Sequence, residues 1–147
     1  MLFSKKATPA AYLVNLPEAE WRSKLSPAAF RVLREHGTER AGTSPLNAEK
    51  RAGEFRCAGC GTPVFAAGTK FESGTGWPSF TAPIGENVGE TEDNSFFMKR
   101  TEVHCAACGG HLGHVFPDGP APTGLRYCIN GVALEFQPET EGGKSLP

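Results

Sequence analysis

Five cysteines carry most of the chemistry this 147-residue sequence can offer. Four fall in two C-x-x-C pairs, Cys57 and Cys60 in RCAGCG, and Cys105 and Cys108 in HCAACGG. Each pair can set two thiolates on one side of a tight turn, with a glycine after the second cysteine to relax the backbone. Two such knuckles complete a tetrahedral sulfur set, the usual geometry of structural zinc. The spacer between Cys60 and Cys105 is longer than in a compact zinc ribbon, so the metal would clip together distant parts of the chain. A redox reading of either pair needs a thioredoxin-like βαβ context, which the sequence lacks. Two disulfides would need an oxidising compartment.

The fifth cysteine, Cys128, lies in GLRYCINGVALEF. In an extended segment Arg126, Cys128 and Asn130 share one face, while Leu125, Tyr127 and Ile129 share the other. Beyond Gly131 the even-numbered series turns apolar at Val132, Leu134 and Phe136. A break near Gly131 is expected to separate a site from the core. A thiol on a polar face beside a guanidinium is expected to have a depressed pKa and to act as a nucleophile. The bland alternative is a buried structural cysteine.

CGGHLGHVFPDG adds His111, His114 and Asp118. Residues three apart on a straight strand point to opposite faces, but Gly113 allows a bulge that re-aims one ring. Taken singly, each histidine also reads as a satisfied core or turn residue, and Pro-Asp-Gly is a turn sequence. ESGTGWPSF sets Trp77 in a glycine-rich turn, as a partly exposed wall or as core.

These groups need elements to hold them. Ser26 to Gly37 reads as a helix, with Ser26 as N-cap, Pro27 in the first position and Gly37 after the last turn. Leu16 to Leu25 opens with a proline and acids, as a first helical turn does. Gly37 to Gly53 reads as an extended loop. After Glu54, short apolar runs alternate with turn residues, which predicts strands. The expected organisation is a loose arm over 1–14, one domain over 15–136 and a loose tail over 137–147.

Composition narrows the partners. Hydrophobic content is 39%, net charge is −1 and the pI is about 6.4. A chain this size can bury one core, and it has no basic stripe for a nucleic-acid backbone or an anionic membrane. The apolar patch from Ala10 to Val14 is too short for a signal peptide or a span. A cytoplasmic monomer with no nucleic-acid or membrane partner is expected.

Taken together and in order, GTER, RCAGCGTPVF, KFESGTGWPSF, HCAACGGHLGHVFPDGP and LRYCINGVALEF resemble the methionine-R-sulfoxide reductase family, the B-type enzymes, over about 15–136. The resemblance implies a mainly β fold of two antiparallel sheets, short N-terminal helices and a zinc site built from the two knuckles. It implies reduction of methionine-R-sulfoxide in proteins or peptides, with Cys128 as nucleophile and Trp77 as the wall for the substrate methyl group. His111, His114, Asp118, Arg126 and Asn130 would form the polar shell, with His114 the first choice of acid and His111 the second. Cys57, Cys60, Cys105 and Cys108 would bind zinc away from catalysis. Many members carry a resolving cysteine where this chain has Thr75. Regeneration would then fall to thioredoxin or another external thiol. The competing reading is a non-catalytic zinc-binding interaction module on a related fold.

Overall fold

The computed structural model of the chain describes residues 12–139. Most of the expected arm and tail lies outside those residues. Val14 N–H donates to the Ala107 carbonyl at 2.9 Å, so pairing with the body begins one residue before the expected domain boundary.

Helix α1 (Glu18–Lys24) carries acids in its first turn and Arg22 and Lys24 in its last, which suits the helix dipole. Helix α2 (Pro27–Glu35) starts where Ser26 Oγ accepts the Ala29 N–H at 3.1 Å. It ends one residue earlier than the glycine suggested. His36, not Gly37, takes the left-handed conformation, with φ 58°. Ala29, Phe30, Val32 and Leu33 face the core.

The rest is β, in two antiparallel sheets. The smaller has the order β2 (Pro63–Ala66), β1 (Gly53–Cys57), β9 (Leu134–Pro138). The larger has the order β3 (Lys70–Phe71), β4 (Ser79–Phe80), β8 (Arg126–Ile129), β7 (His111–Phe116), β6 (Arg100–Cys105), β5 (Val88–Asp93). The mainly β class with two sheets and short leading helices is therefore as expected. The last strand runs to Pro138, two residues into the expected tail, because Gly53 pairs with Pro138 and Glu139 N–H reaches the Ala52 carbonyl.

The sheets meet through aromatics. Phe65 stacks on Phe80 at 4.4 Å, Phe55 meets Phe80 at 5.1 Å, and Tyr127 meets Phe65 at 5.7 Å. Tyr127 and Ile129 are both buried, so the odd-numbered face of β8 is spent on the core. The even-numbered face is left for Arg126 and Cys128. The expected break is real: a single 3-10 turn, Gly131–Ala133, carries the chain from β8 in the large sheet to β9 in the small one. Ser44 packs where a Gly131 side chain would stand, which explains the glycine.

Candidate active site

Register puts the reactive groups side by side. On the large sheet His114 of β7 lies directly opposite Cys128 of β8, and Ser79 of β4 lies opposite Cys128 on the other flank. Phe116 lies opposite Arg126 two residues along, on the same face. His111 reaches the same region through a bulge. Val103 pairs with Gly113, but His104 pairs with His111, so Leu112 is the extra residue of β7. The bulge falls beside Gly113 rather than on it. The His111 and His114 rings end 5.5 Å apart. Gly113 answers a different demand: Cys128 and Ile129 backbone atoms lie where its side chain would be.

A cavity of about 310 Å³ opens over Cys128. Trp77 and Phe116 give it apolar walls, and Thr38, Thr75, Arg100, His114, Arg126 and Asn130 its polar ones. His111 borders a neighbouring cavity of about 450 Å³ that shares His114, Thr38 and Arg100 with the first. A larger groove of about 710 Å³ lies against α2, but it contains no cysteine and no histidine. Chemistry, not volume, identifies the site.

The charge around Cys128 differs from the expectation in sign. Burial pushes the thiol pKa up. The Arg126 guanidinium and a hydrogen bond from Thr75 pull it down, and the Asp118 carboxylate opposes them. The net shift is upward because burial outweighs the pull of Arg126. Arg126 binds Asp118 in a fork, Nε to Oδ1 at 2.9 Å and a terminal nitrogen to Oδ2 at 3.1 Å, and lies over the Phe116 ring at 4.5 Å. Asp118 thus pairs with arginine and not with a histidine.

The histidines have other partners. His114 Nε2 lies 2.8 Å from Asp93 Oδ2, and His111 Nδ1 lies 2.8 Å from Glu102 Oε2. Hydrogen bonds hold the Asp93 carboxyl well below the usual carboxylate range. An ionised carboxylate only accepts, so His114 carries its proton on Nε2 and leaves Nδ1 as a lone pair. Burial lowers the His114 pKa, with the Asp93 bond working against it. The Glu102 carboxyl resists burial through His104 and His111 and sits at about 2.

Asn130 is nearly fully buried, and its amide is spent on backbone. Nδ2 donates to the Leu112 carbonyl and Oδ1 accepts the Glu39 N–H, both at 2.9 Å. Glu39 ties three parts together: its carboxylate accepts the Val132 N–H, and its carbonyl accepts Trp77 Nε1–H at 3.1 Å. Sequence reasoning singled out neither Asp93, Glu102 nor Arg100, and met Glu39 only inside GTER. Asp93 and Glu102 stand on a charged run, GETED to RTEV, whose alternation reads as solvated strand.

The paired cysteines form a separate cluster. Cys57 ends β1 of the small sheet and Cys60 lies in the turn after it, and Cys105 ends β6 of the large sheet with Cys108 in the turn after it. All four sulfurs lie within 4.8 Å of one another, with Cys57–Cys108 at 3.7 Å and Cys60–Cys105 at 3.6 Å. A tetrahedral ion with sulfur ligands near 2.3 Å has edges of about 3.8 Å. The Gly59 and Gly110 N–H groups each point at a sulfur at 3.4 Å, as they would at thiolates. The cluster can hold a metal ion.

The comparisons agree with this geometry. A family model described as SelR domain matches residues 25–138. The chain is 53% identical over 126 residues to peptide methionine sulfoxide reductase MsrB of Agrobacterium fabrum, covering 85% of this chain and 93% of that protein. It is 58% identical over 120 residues to the protein of the same name from Pseudomonas putida, covering 81% and 90%. A relative of that name from Methanosarcina mazei is 55% identical over 132 residues, covering 89% and 94%.

Proposed function

The chain belongs to the SelR family, and on that premise we propose that it reduces methionine-R-sulfoxide in proteins and peptides, with Cys128 as nucleophile. It is an oxidoreductase, as its relatives' names indicate. The observation that carries the site assignment is the β7–β8 register, which sets His114 opposite Cys128 under a cavity walled by Trp77 and Phe116. Nothing found favours the non-catalytic alternative.

The proposed chemistry follows from proton positions. Neutral His114, protonated on Nε2 toward Asp93, offers Nδ1 to the Cys128 thiol. The thiolate so formed attacks the electrophilic sulfoxide sulfur, and His114, now holding the proton, delivers it to the oxide. Oxygen passes from substrate sulfur to Cys128, giving methionine and a sulfenic acid. Trp77 would hold the substrate methyl group, with Phe116 opposite. Arg126, aligned by Asp118, offsets charge on the thiolate, and Asn130 braces the strand. His111, in the adjoining cavity, is the alternative acid.

Regeneration must come from outside. Five cysteines less four metal ligands leave Cys128 alone, and Thr75 stands where a resolver would be. An external dithiol, thioredoxin or another, would take the oxygen as water and leave oxidised to its disulfide. The knuckle cysteines Cys57, Cys60, Cys105 and Cys108 would hold structural zinc, joining the two sheets; none lines the cavity over Cys128. We read 15–138 as one catalytic domain of a cytoplasmic monomer. Among the described residues no helix is long and apolar enough to cross a membrane.

The test uses each sulfoxide epimer with dithiothreitol, following methionine release. Cys128→Ser should abolish turnover of the R epimer with fold and metal intact. His114→Ala should slow it by roughly 10²–10⁴-fold, the range for a lost general acid. Wild-type turnover in the serine variant overturns the assignment. A deficit confined to His111→Ala exchanges the two histidine roles.

A further inference from the structure

All four histidines of the chain fall in one run of contacts, and the reaction above draws on His114, with His111 only as the alternative acid. His104 and His111 share the Glu102 carboxylate, at 3.1 and 2.8 Å. The His36 ring lies 5.0 Å from that of His111, and His111 lies 5.5 Å from His114. His36 reaches this place because it ends α2 in the left-handed conformation. No hydrogen bond of its own explains its orientation among the described contacts.

We propose that His36, Glu102 and His111 form a second divalent-ion site, separate from the cysteine cluster, which takes a borderline ion such as Zn²⁺ or Ni²⁺ and blocks the reductase when filled. One ligand atom from each residue lies within 4.8 Å of the others. An ion bound at about 2.0–2.1 Å by nitrogen and oxygen needs edges of about 3.3 Å. Glu102 and His111 are buried and fixed, while His36 is exposed and free to close the remaining gap. His111 Nδ1–H donates to Glu102 Oε2 at 2.8 Å, which leaves Nε2 of that ring as the lone pair, and the ionised carboxylate keeps further lone pairs for an ion. The adjoining cavity, about 450 Å³, is lined by the carboxylates Glu92, Asp93 and Glu102 against one arginine, Arg100, and so favours a cation. Imidazole with carboxylate suits zinc, nickel or copper better than magnesium or calcium. An ion there would take His111 and stand against His114 in the shared wall, restricting the ring that faces Cys128. Only the blocking half of this inference rests on the proposed function.

The experiment is calorimetric titration of Ni²⁺ into the full chain with its cysteine cluster loaded with zinc, while a chromogenic dye reports released zinc. One Ni²⁺ should bind per chain without zinc release. His36→Ala should weaken it by at least about tenfold, the low end for losing even an outer-shell partner of a metal ligand, and Cys128→Ser should leave it unchanged. Methionine release in a single turnover without added thiol should fall as Ni²⁺ binds. His36→Ala should resist that loss, with its nickel-free rate equal to wild type. No second ion, nickel uptake matched by zinc release, or equal affinity in His36→Ala overturns the site. Nickel binding without loss of turnover overturns the blocking role alone. A chain with no turnover at all refutes the proposed reaction, while the titration still decides the site.

Discussion

Gly113→Ala tests whether the β7–β8 contact sets the reactive geometry. Gly113 pairs with Ile129, one step from the His114–Cys128 pair. A Cβ at position 113 would stand 3.0 Å from Ile129 Cα and 3.1 Å from the Cys128 carbonyl carbon, and closer again to the Cys128 carbonyl oxygen. Ordinary contact lies near 3.5–4.0 Å, so the strands must part by roughly 1 Å. All three obstructing atoms are backbone, and none can rotate aside. Overpacking of this kind costs about 1–3 kcal/mol, which for a domain of this size lowers Tm by about 3–10 °C. The larger effect should be on turnover. A displacement of about 1 Å between reacting groups is worth on the order of 10²-fold. The assay pairs thermal melting with single-turnover methionine release. Gly68→Ala is the control, because open space surrounds that position, and it should stay within about 0.5 kcal/mol of wild type. If Gly113→Ala melts and reacts like the control, the register does not govern catalysis and the reasoning fails.

Four further outcomes are expected. Cys57→Ser should release the metal and destabilise the fold, because a structural ion supplies folding free energy; full metal content on elemental analysis would contradict this. The raised Cys128 pKa means that its alkylation should need a higher pH than that of a free cysteine thiol. Asp118→Asn removes a charge that pushes the thiol up and frees Arg126, so the midpoint of that profile should move to lower pH; an unmoved or higher midpoint counts against the pairing described. Thr75→Cys should form a disulfide with Cys128 during turnover, since both positions line the same cavity, and mass spectrometry should find one fewer free thiol pair per chain.

Local pattern carried much of the site into view. Alternation along Arg126, Cys128 and Asn130 correctly separated the polar face of β8 from Tyr127 and Ile129, and Gly131 marked the break. The paired knuckles announced their cluster by spacing alone. What stayed hidden depends on pairing across the sheet. Asp93 and Glu102 orient the histidines from strands whose charged alternation has the texture of a solvated edge. The sign of the Cys128 shift was misread because burial in the folded sheet, which local pattern does not show, outweighs Arg126, itself paired with Asp118 eight positions earlier. Asn130 shares the polar face but bonds backbone, since Glu39 arrives from a loop 91 positions away. His36 looked like the residue before a terminating glycine, and instead it is the terminator.

The position of β8 also bears on how the chain is made. β8 is an interior strand, with β3 and β4 on one side and β7, β6 and β5 on the other. β9, which follows after one short turn, completes the small sheet beside β1. A ribosome that has delivered everything through β7 has therefore delivered two unjoined parts of the large sheet and an unfinished small one. The segment that unites them is also the one that brings Cys128. Vectorial synthesis thus withholds Cys128 until the walls meant to enclose it have emerged, and a prematurely ended product does not expose that thiol half-sheltered to stray oxidation.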